Sequence, residues 1–177
     1  MKKLLFFLFL LPTFGQAQDK IQWVSVDELA SLQAKEPKKV LMDVYTAWCG
    51  PCKMMMAQTF SDPQIIQYVN KHFYAVKFNA EGKDALNFKG KEYINENYDP
   101  AKATRRNGTH QFASIAAVDG RLAYPTVVYM DEKLNVITPI QGFLKADQIT
   151  PILTFVKNEV YKKNVFDIWK ECNSELD

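Results

Sequence analysis

WCGPCK, residues 48–53, sets two thiols three positions apart, and the reading of that pair decides the fold. A redox pair, half of a zinc site and a structural staple all compete for it. A structural zinc needs about four ligands, usually two C-x-x-C knuckles or one knuckle with regularly spaced histidines. The other candidates here, Cys172, His72 and His110, stand singly along the chain, so no metal is expected. A disulfide closing so short a loop removes little chain entropy, which argues against a staple. A redox pair is the reading that remains.

The flanking sequence gives the pair a setting. KVLMDVY (39–45) reads as a buried central strand, with Asp43 as a charge inside an apolar run. A helix is expected from about Gly50, where Pro51 is tolerated because first-turn amides have no intrahelical acceptor. SDP (61–63) restarts the helix, with Asp62 as cap and Pro63 in the first position. Three consecutive methionines, Met54 to Met56, point in different directions on a helix, so core filling is favoured over a copper-binding cluster.

Outward from this centre, Ser25 is expected to cap a helix that runs through LASLQAK and stops at Pro37. YAVKFNA (74–80) is the next strand, and residues 80–108 form a polar insert of loops and one short helix. Thr109 caps a further helix, HQFASIAAV, with His110 on the surface. TVVYM and NVITPI make a hairpin through a tight DEKL turn. An apolar stripe from Ile149 through Trp169 predicts a helix from Lys145 to about Cys172, with Phe166 and Trp169 packed on their own domain and Cys172 as a buried small hydrophobe. The order implies an α/β fold, a central mixed sheet flanked by helices.

MKKLLFFLFLLPTFGQA (1–17) has a basic start, a short apolar run and a small-x-small end, the pattern of a cleavable secretory signal with cleavage between Ala17 and Gln18. A periplasmic or secreted location follows. With Lys2 and Lys3 set aside, 20 basic and 20 acidic residues remain, so charge offers no case for nucleic acid or an anionic membrane as partner. The expected division is a signal over 1–17, one domain over 18–157 carrying the 80–108 insert, and a helical extension over 158–177.

WCGPCK, Asp43 six residues before Cys49, Lys77 in the next strand, Tyr124-Pro125-Thr126 before the hairpin and Gly142 after it together resemble the thioredoxin fold, over about residues 20 to 157. YTAWCGPCK followed by TFSDPQ (59–64) is similar to a secreted thioredoxin-like group that includes the C-terminal domain of the bacterial transmembrane disulfide reductase DsbD. The chain departs from cytosolic thioredoxin in the helix break at Ser61 to Pro63, the longer insert and the tail after residue 157.

Elementary chemistry assigns roles to the pair. Cys49 just ahead of a helix meets unpaired amides that favour an anion, and helix-N-terminal C-x-x-C thiols titrate at about 7 in thioredoxin against ~8.5 for free cysteine. Cys49 is therefore the attacking thiol, and Cys52 resolves the mixed disulfide. Asp43, desolvated in its strand, is expected to titrate high and to accept the Cys52 proton through water. Trp48 supplies a flat apolar surface beside Cys49.

The resemblance implies the rest. Lys77 interacts with the strand acid, Pro125 is a cis-proline facing the redox pair, and Tyr124 and Thr126 help it orient the substrate backbone. Gly50-Pro51 between the thiols matches reducing thioredoxins. The expectation is an exported protein-disulfide reductase, monomeric, acting on disulfide-containing client proteins. No flavin or nicotinamide motif is present, so no cofactor is expected and a membrane or periplasmic dithiol must supply electrons. A disulfide oxidase or isomerase is the alternative with the same residues, and a non-catalytic peptide-binding module is the alternative from another class.

Overall fold

The computed structural model describes residues 20–164 and 167. The signal segment and the expectations placed on Phe166, Trp169 and Cys172 lie outside the described residues. Among the described residues, no helix is long and apolar enough to cross a membrane.

Five strands build the main sheet: β1 (Trp23–Val24), β2 (Lys39–Tyr45), β3 (Phe73–Asn79), and, after the insert's own two strands, β6 (Thr126–Met130) and β7 (Val136–Gln141). Their order is β1-β3-β2-β6-β7. β1 and β2 run parallel to β3, whereas β6 is antiparallel to both β2 and β7. The sheet is mixed and layered on both faces, as the sequence implies. β2 is central, and its first six residues are buried.

Alternation along β2 divides the core. Val40, Met42 and Val44 face a cluster with Val76, Leu29, Phe112 and Ala116. Leu41 faces the opposite cluster with Met55, Ile65, Val69, Val127, Ile149 and Leu153. Asp43 has the parity of Leu41, so its side chain belongs to the second layer. That layer is covered by α2 (Gly50–Gln58), α3 (Pro63–His72) and α4 (Ala146–Lys157), while α1 (Leu29–Lys35) covers the other face. The break between α2 and α3 is built in. Asp62 accepts hydrogen bonds from the Gln64 and Ile65 amides, and the buried Thr59 hydroxyl donates to the Leu144 carbonyl.

Five expectations are corrected. Ser25 does not cap α1: it pairs with Glu28 in a preceding turn, and the helix starts at Leu29. The insert contains a two-stranded hairpin, β4 (Leu86–Phe88) and β5 (Lys91–Tyr93). Lys89 and Gly90 both have positive φ at its tip, which suits the twist of a two-residue hairpin turn. Leu86 and Phe88 are buried and anchor the hairpin on the α1 face.

The helix expected from Thr109 is instead a 3₁₀ segment, Gln111–Ala116, capped by the His110 side chain. His110 is 1% exposed, not a surface residue. Its Nδ1 accepts from the Phe112 amide, which leaves the proton on Nε2 to donate to the Asp84 carbonyl at 3.1 Å. Finally, α4 does not continue past Lys157. Glu159 is left-handed, and its carboxylate meets buried Lys39 at 2.8 Å and Lys162 at 2.7 Å, turning the chain into a 3₁₀ segment, Val160–Lys162.

Candidate redox site

Strand direction delivers the site to one edge of the sheet. β2 and β3 are parallel, so Tyr45 and Asn79 end side by side. β6 runs the other way and begins beside that end, with Thr126 opposite Val44 and Gln141. The loop after β2, the start of the insert, and the turns around Pro125 and Gly142 therefore converge.

Cys49 is the N-cap of α2, and the Cys52 amide donates to its Sγ at 3.1 Å. The two cysteines are disulfide-bonded, with Cα atoms 5.3 Å apart, and they are 2% and 3% exposed. Gly50 and Pro51, between the two cysteines, are exposed at the helix start. The Tyr124–Pro125 bond is cis. Gly142, at a φ of 105° that favours glycine, donates its amide to the Pro125 carbonyl at 2.8 Å and ties the two turns together. Thr126 is wholly buried, and its hydroxyl donates to the Ala123 carbonyl at 2.7 Å. It shapes the proline turn from inside.

Asp43 is 1% exposed, and neither carboxylate oxygen has a hydrogen-bond partner among the described residues. Burial pushes its pKa from 3.8 to about 6, against a smaller lowering by Lys77. Asp43 and Lys77 are direct partners across the β2–β3 ladder. The Lys77 ammonium lies over the rings of Tyr45, at 4.8 Å, and Trp23, at 5.9 Å, instead of forming a salt bridge with the acid. A cavity of about 90 Å³ is lined by Cys52, Thr46, Lys53, Met56, Tyr45 and Lys77. Thr46 is buried, and its hydroxyl is also without a protein partner. Unpaired polar groups of this kind are ordinarily satisfied by water, and the cavity is several times the volume of one water molecule.

Trp48 is held more closely than its sequence position suggests. Its indole Nε1 donates to Glu81 Oε2 at 2.7 Å, its ring meets Tyr124 edge-on at 6.4 Å, and the Arg106 guanidinium lies 4.8 Å from the ring centroid. Burial, aided by the Glu81 charge, pushes the Tyr124 phenol up to about 12, so it stays protonated at neutral pH. Glu81 and Arg106 were not among the site residues expected from the sequence. Glu81 has a local signal, an acid two residues past β3 at the edge where WCGPCK begins, whereas Arg106 has none. Among the described residues, no group of three or more His, Cys, Asp or Glu side chains is arranged to hold a metal ion.

A mixed sheet whose central strand feeds a C-x-x-C helix opposite a cis-proline turn defines a thioredoxin-like protein with a disulfide-forming pair. Residues 26–157 match the profile of the thioredoxin-like domain, and the chain belongs to that family. Among curated relatives, the thiol:disulfide interchange protein DsbD of Pectobacterium atrosepticum is 36% identical over 47 residues, which is 27% of this chain and 8% of that protein. The thioredoxin-like protein slr0233 of Synechocystis is 33% identical over 57 residues, 32% of this chain and 51% of that one. These matches span about half or less of the relatives' own length. A thioredoxin-fold protein from Helicobacter pylori superposes with a TM-score of 0.57 over 91% of this chain and 92% of its own, at 18% identity.

Proposed function

We propose that this protein is an exported thiol-disulfide oxidoreductase that reduces disulfides in client proteins. The observation that carries the reading is the Cys49–Cys52 pair at the start of α2, with an amide donor on Cys49 Sγ and the buried Asp43 on the sheet face that α2 covers. A binding module has no need of a disulfide-forming pair and an unpartnered buried acid together. The signal-like N-terminus and the local similarity to a thiol:disulfide interchange protein support export and the class of reaction.

In the reduced protein the Cys49 thiolate attacks one sulfur of a substrate disulfide. A Cys49–substrate bond forms, the substrate S–S bond breaks, and the other substrate sulfur leaves as a thiolate that takes a proton from solvent. Cys52 then passes its proton to Asp43 by way of water and attacks Cys49 Sγ. The Cys49–Cys52 bond closes as the Cys49–substrate bond breaks, and the second substrate sulfur departs as a thiolate that takes up a proton from solvent, to which Asp43 returns its own. Two electrons have moved from the protein dithiol to the substrate, and an external dithiol must restore them. Trp48, Tyr124 and the Pro125 turn form the surface on which the substrate backbone lies. Lys77 moderates the Asp43 charge, and Thr126 supports the turn from within.

Two measurements test this. Cys52→Ser should accumulate mixed disulfides with exported proteins while Cys49→Ser should not, and equal trapping by both variants would remove the assignment of the attacking thiol. The reduction potential of the pair sets the direction. A value near the roughly −270 mV of thioredoxin supports a reductant, and one near the about −120 mV of DsbA makes the protein an oxidant.

A further inference from the structure

The insert is not a loose excursion from the fold. Its closing residues, Asn107 and Gly108, are held against the wall of the redox site. The Asn107 amide donates to Glu81 Oε2 at 2.9 Å, the same oxygen that receives the Trp48 indole. The Asn107 side chain exchanges hydrogen bonds with the Asp99 backbone, its Nδ2 donating to the carbonyl and its Oδ1 accepting from the amide, both at 2.8 Å. Asn95 Nδ2 donates to the carbonyls of Gly82 and Gly108 and so clamps both ends of the insert. Gly108 packs so tightly on the Asn97 backbone that a methyl there would overlap its carbonyl.

Arg106 emerges from this fixed segment. It is exposed, it lies over the Trp48 ring, and no carboxylate of the described residues forms an ion pair with it. Glu81 is the nearby acid of the site, but it is buried on the indole's N–H edge, and its Oε2 already receives two donors. A polypeptide approaching Cys49 from solvent therefore meets the guanidinium before it meets the carboxylate.

We propose that Arg106 is a specificity-determining residue that selects client disulfides flanked by acidic side chains. A guanidinium held in place by an aromatic face and a latched backbone loses little freedom when it engages a carboxylate, and its fork suits bidentate contact. The proposal rests on Cys49 being the attacking thiol, because only then does the client chain pass over Trp48.

The test uses disulfide peptides identical except for glutamate, glutamine or lysine at the positions flanking one cysteine. The rate at which each oxidises the reduced protein is followed by stopped-flow fluorescence. The glutamine peptide reports redox competence alone. The wild-type protein should prefer the glutamate peptide over the lysine peptide by about fivefold at low ionic strength, near the upper end for one exposed charge pair, and less as salt screens the contact. The preference should vanish in Arg106→Gln and reverse in Arg106→Glu.

Should none of the peptides oxidise the protein, the redox reading fails. The charge preference is then read from binding of the same peptides, with serine for cysteine, to the oxidised protein by calorimetry. Equal rates and equal affinities for glutamate and lysine peptides, or a preference that survives Arg106→Gln, overturn the proposal.

Discussion

Asp43→Asn should change stability with pH in a way that isolates a single buried carboxyl. A native pKa of about 6 against 3.8 in the unfolded chain corresponds to about 3 kcal/mol, at about 1.4 kcal/mol per pH decade. The sign follows from which state ionises first. Below about pH 3.8 the carboxyl is protonated in both states and costs nothing extra. Between that value and about 6 the unfolded chain ionises first, so native stability falls as pH rises. Above about 6 both states are ionised, and the native protein carries the whole penalty. An asparagine has no such charge to bury. Urea unfolding of the oxidised wild type and variant, from about pH 4 to about pH 8, should show the variant gaining on the wild type across that window, by about 3 kcal/mol at the alkaline end. A constant difference across the range, or a variant that loses ground as pH rises, would refute the burial argument. In the proposed mechanism the same variant should slow release of the mixed disulfide by about 10²-fold at neutral pH, the lower end for loss of a general base.

Lys77→Met keeps apolar contact with Tyr45 and Trp23 but removes the charge that lowers the Asp43 pKa, so the midpoint of that pH window should move upward in the same titration. Gly108→Ala should cost about 1–3 kcal/mol by forcing the insert off the Asn97 carbonyl, and amide exchange should show loss of protection concentrated at Asn107 and Gly108 instead of spread through the main sheet. Lys39→Met should destabilise the fold by about 2 kcal/mol, as read from denaturant midpoints. It cuts the contacts to Glu132 and Glu159, at 2.7 and 2.8 Å, but both carboxylates are more than a third exposed, so solvent spares part of the cost of a fully buried pair.

The parts of this fold legible in the sequence are those that local chemistry dictates. An apolar run in β2, a cap and proline at Asp62-Pro63 and the spacing of the two thiols each constrain the chain within a few residues. The parts that escaped depend on distant partners. Leu86 and Phe88 alternate with Asn87 in strand fashion, but three-residue strands inside a polar segment carry too little pattern to outweigh their composition. His110 shows no apolar periodicity and is buried because the Phe112 amide and the Asp84 carbonyl satisfy both ring nitrogens. The apolar stripe of the last helix runs on past Lys157 in sequence. Its interruption at Glu159 coincides with an ion pair to Lys39, 120 positions earlier. The Trp48–Glu81–Asn107 junction has the same character: each residue is unremarkable alone, and the site exists only once β2, β3 and the insert share an edge.

That shared edge gives the two cysteines different surroundings, and the difference bears on the order of events. Cys49 Sγ receives an amide proton at the positive end of α2 and has Arg106 on the neighbouring indole, so negative charge is favoured there. Cys52, one turn into the helix, faces the layer that holds Asp43, whose carboxylate has no protein hydrogen-bond donor among the described residues. In the proposed mechanism a second anion at that depth is disfavoured, so the inner sulfur keeps its proton until the outer one has attacked. Once the outer thiolate is consumed in a mixed disulfide, its charge is gone, and Asp43, with a pKa of about 6, is basic enough to accept the inner proton. In the proposed mechanism, then, the attacking group is charged before the client arrives, and the resolving group becomes charged only after the client is bound.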